Sequence, residues 1–154
     1  MTDPGFDTGK AHRFFAADCF NSTWGLIDQA DRTPEEDERM LEFAMASVWH
    51  WTQREDVTPS NMAVGYWQVS RVHALLGRAD EATRYGELSL AKGKEGGSDP
   101  FTIGYAYEAL ARAASIADDA SKRDGYLAEA TKAAEGVEDA ESKGWLLDDL
   151  KTIA

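Results

Sequence analysis

The chain has one cysteine, four prolines, a minority of basic side chains and no stretch of about 18 consecutive apolar residues. Each shortage excludes a class of protein. A lone Cys19 cannot close an internal disulfide, and its neighbours Phe15, Phe20 and Trp24 predict a buried thiol in a reducing compartment, the cytoplasm. Cys19 also has no His or Lys close in sequence to lower its pKa, which argues against a nucleophile. The first residues, Met1-Thr2-Asp3-Pro4-Gly5, contain neither a basic segment nor an apolar run, which argues against secretion and membrane insertion. Sixteen basic against twenty-eight acidic side chains give a formal charge of −12, which repels nucleic-acid backbones and anionic lipid. Basic proteins or peptides suit that charge better, although an acidic surface also serves plain solubility.

Catalytic and cofactor signatures are scarce as well. Gly96-Gly97 lacks the Lys-Ser/Thr of a phosphate-binding loop, and none of the acidic clusters has the alternating spacing of a calcium loop. His12, His50 and His73 come from three different predicted helices without an i, i+4 pair, so no metal site and no cofactor are expected. No segment alternates with period two, which excludes a sheet.

What the chain does have is helical punctuation. Its 154 residues suit one domain, with residues 1–8 as a frayed tail and 9–154 as the folded unit. Phe14, Phe15, Cys19, Phe20, Trp24 and Ile27 recur with helical period over Lys10 to about Gln29. Thr33-Pro34-Glu35-Glu36 then offers a capping hydroxyl, a Pro preset for the first turn and a Glu for a capping box. The second helix runs to about Glu55 with Leu41, Ala44, Met45 and Val48 inward. Thr58-Pro59 and Asp99-Pro100 repeat the device, opening a third helix to Leu76 and a fifth to about Ala117. Gly77 ends the third as a left-handed cap. A fourth helix spans about Asp80 to Lys94, a sixth about Ser121 to Gly136, and Ala140 to Thr152 closes the chain.

A shift of 41 residues superimposes the third helix on the fifth: Tyr66 falls on Tyr107, Val69 on Leu110, Ser70 on Ala111 and Arg71 on Arg112. The small residue at Ser70 and Ala111 is what two closely approaching helices require. Residues 66–90, with Tyr66, Val69-Ser70, His73, Gly77 and Ala82, resemble a tetratricopeptide repeat, a likeness that extends over roughly 62–135. Gly86 and Ser89 depart from it, standing where that family has a large aromatic and an Ala. Phe20-Asn21-Ser22-Thr23-Trp24, Arg32-Thr33-Pro34-Glu35-Glu36-Asp37 and Trp49-His50-Trp51 also look like a family of uncharacterised bacterial tetratricopeptide-like proteins. The resemblance implies an all-α, right-handed array of antiparallel helical hairpins, about seven helices, bacterial and cytoplasmic, with no inherited activity.

In tetratricopeptide arrays the first helix of each pair lines a concave groove, and those positions fall here on Val64, Trp67, Arg71, Ala74 and Leu75, then on Tyr105, Glu108, Arg112 and Ser115. Trp67 and Tyr105 would stack on a ligand while Arg71 and Arg112 forked onto a carboxylate. The expected function is therefore a non-catalytic scaffold for a protein or peptide. The competing reading has Trp67 packed on the second helix and the arginines paired with surface acids. A second candidate is Trp49-His50-Trp51, where bulky rings leave one helix in different directions. With His12 it would form a small-molecule or hydrolase pocket, set against a helix simply buried on two sides. His73, on the core stripe, reads as structural. Self-association through an apolar face of the first or last helix is the third reading.

Overall fold

Short polar side chains followed by helix-compatible residues fix where each helix begins. The computed structural model describes residues 2–154 and, among them, contains helices and no strand: α1 (Thr8–Ile27), α2 (Pro34–Thr52), α3 (Pro59–Leu75), α4 (Ala79–Glu95), α5 (Pro100–Ile116), α6 (Ala120–Glu135) and α7 (Ala140–Lys151). Thr33 and Thr58 both close capping boxes, with Glu36 and Asn61 reaching back, and Pro follows each cap. Asp7, Asp99, Asp119 and Asp139 cap α1, α5, α6 and α7 through their carboxylates. Asp7 starts α1 two residues before Lys10, so Thr8 of the expected tail is helical. Only α4 begins without a side-chain cap, at Arg78.

The ends share a second device. After α3, Gly77 takes φ +72°, the Arg78 N–H donates to His73 O and the Gly77 N–H to Ala74 O, which is a Schellman motif. The same pair of bonds follows α4 through Gly97 and Ser98, and α5 through Asp118 and Asp119. Asp118 holds the left-handed conformation at φ 57° without being glycine.

Three hairpins result, α1 with α2, α3 with α4 and α5 with α6, and successive hairpins stack through α2 on α3, α4 on α5 and α3 on α5, with α7 closing against α5 and α6. This is a solenoid-like helical repeat. Serine hydroxyls fasten the close approaches: Ser47 donates to Ala16 O, Ser70 to Ala82 O and Ser89 to Ala63 O, at 2.7–2.8 Å. Ser89 thus performs a bond that the Ala of a tetratricopeptide consensus could not. Gly86 has an equally local reason, since a Cβ there would lie 2.9 Å from the buried Leu110 of α5.

The core is divided. Met40, Ala44 and Val48 of α2 pack with Met62, Val69 and Val72 of α3, whereas Ala130 and Ala134 of α6 pack with Leu146 and Leu150 of α7. Between them lies α5, which buries Ala106, Ala109, Ala111, Ala113 and Ala114. An alanine face lets neighbours approach closely but buries little apolar area per residue. The joint between α5 and α7 is correspondingly tight: Leu146 sits so close over Gly104 that a Cβ at Gly104 would meet it at 2.4 Å.

Candidate functional site: an aromatic cleft and two polar clusters

The helices α1, α3, α5 and α7 bring a series of aromatic rings onto one face. Trp24 of α1 lies 5.6 Å from Trp67 of α3, centroid to centroid, Trp67 lies edge-on to Tyr105 of α5 at 5.3 Å, and Tyr105 is edge-on to Phe101 at 4.9 Å. With Phe20, Val64 and Trp145 they wall a cleft of about 440 Å³. Ala63, Ser89 and Thr102 complete its lining. Trp145 of α7 stands at the rim, 55% exposed, and Val64 is 43% exposed.

Beside this cleft is a buried ionic cluster. Glu108 of α5 is 0% exposed, and its carboxylate accepts the Trp67 indole N–H at 2.8 Å, the Arg71 guanidinium at 3.0 Å and Arg112 Nε. Arg112 continues to Asp149 O at 3.0 Å and Thr152 Oγ1 at 2.6 Å, so one carboxylate links α3, α5 and the end of α7. Burial pulls the Arg71 guanidinium below its usual range against the opposing pull of Glu108. The Tyr105 hydroxyl donates to Asp149 Oδ2 at 2.7 Å, and burial, followed by that bond, pushes its pKa upward.

Of the groove residues expected from the sequence, Val64, Trp67 and Tyr105 line the cleft. Arg71 and Arg112 both turn to Glu108 and share its single carboxylate charge, with Arg71 Nε buried and unpartnered. Leu75, 42% exposed, and the buried Glu108 are not part of the lining. Four aromatic members, Phe20, Trp24, Phe101 and Trp145, come from outside the expected set. A groove drawn on α3 and α5 alone does not place the flanking helices, and the only signal for them was the aromatic periodicity of α1 and the isolated Trp of α7.

The second candidate cluster forms in part. His12 Nδ1 and His50 Nδ1 are 2.9 Å apart, and Trp49 packs edge-on to His12 with centroids at 5.3 Å. The two imidazole centroids are separated by 5.1 Å, close to the most that this N···N contact permits, so the nitrogens face each other head-on at hydrogen-bond distance. Burial, then the neighbouring His12, lowers the His50 pKa. Trp51 faces the opposite way, against the α2/α3 core and under the Arg54 guanidinium at 4.0 Å. Near His12 a polar hollow of about 570 Å³ is bounded by Asp7, Lys10, Arg13, Arg54, Glu55 and Asp56, and neither Trp49 nor His50 lines it. His73 is buried and stacked on Tyr85.

Among the described residues no group of three or more His, Cys, Asp or Glu side chains is placed to hold a metal ion, and no helix is long and apolar enough to cross a membrane. Compared with known proteins, the chain matches no family model, no curated protein and no solved structure.

Proposed function

We propose that the protein is a non-catalytic binding scaffold of the tetratricopeptide-like, right-handed class, whose protein, peptide or smaller partner engages the inner face through the aromatic cleft. The observation that carries this reading is the continuous row of rings Trp24, Trp67, Tyr105 and Phe101 bordering an unfilled apolar space of about 440 Å³. Apolar concavities of this size are where folded proteins seat ligands. Glu108 holds the Trp67 ring through its indole N–H and turns Arg71 and Arg112 toward itself rather than into the cleft.

The test is capture from source-cell extract on the immobilised protein, with retained proteins and small molecules read by mass spectrometry, beside a Val64→Glu/Trp145→Ala variant. Both positions are exposed and lie outside the Glu108 cluster, so the variant keeps its helical content. A species held by the original chain and lost by the variant supports the scaffold. Equal retention by both removes the cleft as its binding site.

Self-association is a second reading with its own observation. Phe14 and Phe15 of α1, and Met45 and Trp49 of α2, are all exposed, and the two Phe rings pack edge-on at 5.1 Å. Sedimentation of the full chain with and without Phe14→Ser tests it, a monomer in both cases being the outcome that removes it.

A further inference from the structure

We infer that the cleft takes an uncharged, ring-containing small molecule of about two to three rings. The inference rests on the cleft being the binding site, and it names the ligand's chemistry from four features of the walls.

The first is that the cleft is bounded. Gln68 of α3 donates to Phe20 O at 3.0 Å and fixes α1 on one side, while Leu146 over Gly104 and the Tyr105–Asp149 bond fix α7 on the other. A compact molecule gains from walls that are fixed before it arrives.

Volume is the second feature. An apolar cavity of about 150 Å³ accepts one benzene ring. Three times that space, about 440 Å³, suits a fused or linked system of two to three rings and exceeds what one inserted side chain would fill.

The third is the disposition of polar atoms. The Trp67 indole N–H is spent on Glu108, the Tyr105 hydroxyl on Asp149, the Ser89 hydroxyl on Ala63 O and the Thr102 hydroxyl on Asp99. These lining residues therefore present carbon and ring faces to the cavity. A ligand that buried a charge or an unpaired polar group there would lose its water and gain nothing in exchange.

Charge is the fourth. The protein as a whole is strongly acidic, yet the five helices that line the cleft are balanced: Lys10, Arg13, Arg71, Arg84, Lys92, Lys94, Arg112, Lys143 and Lys151 against Asp18, Asp80, Glu81, Glu87, Glu95, Glu108, Glu141, Asp148 and Asp149. The excess of acid lies elsewhere, notably on α2 with Glu35, Glu36, Asp37, Glu38 and Glu42. Neither a cation nor an anion is selected by the field of this face. What remains to be recognised is apolar volume and ring geometry, through offset and edge-on contacts with Trp24, Trp67, Tyr105 and Trp145.

The experiment is a fluorescence titration of the full chain with N-phenyl-1-naphthylamine, an uncharged molecule of three rings, and in parallel with 1-anilinonaphthalene-8-sulfonate, the same skeleton bearing an anion. The expected result is saturable one-to-one binding of the uncharged probe, quenching of tryptophan emission, and at least tenfold weaker binding of the sulfonate. Val64→Glu, which sets a carboxylate in the exposed wall, weakens the uncharged probe at least tenfold, and circular dichroism shows the variant folded. Tighter or equal binding of the sulfonate overturns the ligand class while leaving the cleft as a site. Failure of both probes to saturate overturns the inference and leaves the scaffold reading to the capture experiment, as does undiminished binding to folded Val64→Glu.

Discussion

Glu108 and the His12–His50 pair both tie helices together with polar side chains, and their surroundings make them behave differently. Glu108 is wholly buried and is answered by two guanidiniums at Oε1 and an indole N–H at Oε2. The histidine pair lies half-buried between α1 and α2, and each Nδ1 is answered by the other. The carboxylate is held by charges opposite to its own, whereas His50, beside a second imidazole, is held toward its neutral form by burial and by that neighbour. The molecule thus has one joint made of opposite charges and one made of a hydrogen bond between two imidazoles.

The largest effect that would break this comparison is at the buried joint. Glu108→Ala leaves Arg71 and Arg112 without their shared counter-ion, and loss of one partner from a buried ionic group costs about 3–5 kcal/mol. Urea denaturation measures it, and a loss under about 1 kcal/mol would show that water replaces the carboxylate at no great cost. Acidification is next in size. Because His50 and His73 are both depressed in the folded protein, their stabilisation is complete above the ordinary imidazole range near pH 6.5 and is lost as pH falls through it, by at most about 1.4 kcal/mol per pH unit for each proton taken up.

Beside the pair, in the α2–α3 loop, the bond to Asp56 holds the Arg54 guanidinium above its usual range. Asp56, held by Arg54 and Arg13, stays ionised down to about 2. Denaturation midpoints at pH 7.5 and 5.5 should therefore converge in His12→Leu/His50→Leu, apart from a residue due to His73; an unchanged difference assigns the effect to His73 alone. The smallest effect sharpens the first joint at its periphery. Thr152→Val removes two exposed bonds, the one Thr152 Oγ1 accepts from Arg112 and the one it donates to Asp149 O, and should cost under about 2 kcal/mol in the same urea assay, a larger loss meaning that α7 depends on them.

Helix starts at Thr33-Pro34, Thr58-Pro59 and Asp99-Pro100 were legible because capping is a local event read within four residues, and so was the left-handed turn at Gly77. The seven-helix arrangement followed from those starts and from the apolar period. The two sides of the candidate site fared differently. Val64, Trp67 and Tyr105 were placed on the inner face by their register in α3 and α5, but the turn of Arg71 and Arg112 toward Glu108 depends on how far apart those helices stand. The 41-residue shift that aligns Arg71 with Arg112 also aligns Trp67 with Glu108, and these equivalent positions bond to each other across the repeat. An isolated Glu in an alanine-rich helix, with Arg at i+4, was the available sign of such a cluster. Trp24 and Trp145 depended on the packing of α1 and α7 at the two ends of the stack, which no periodicity within α3 or α5 encodes.

Stacked hairpins that touch only their neighbours can come apart one unit at a time, like a zipper opened from either end. Glu108 works against that. By joining α3 to α5 and, through Arg112, to α7, it makes three successive layers share one group that none can give up alone. The amide protons of α3, α5 and α7 should therefore exchange with solvent as one slow cooperative unit, while the first turns of α1, held to α2 by half-buried ring contacts and the His12–His50 bond and by no ionic group, open earlier and independently.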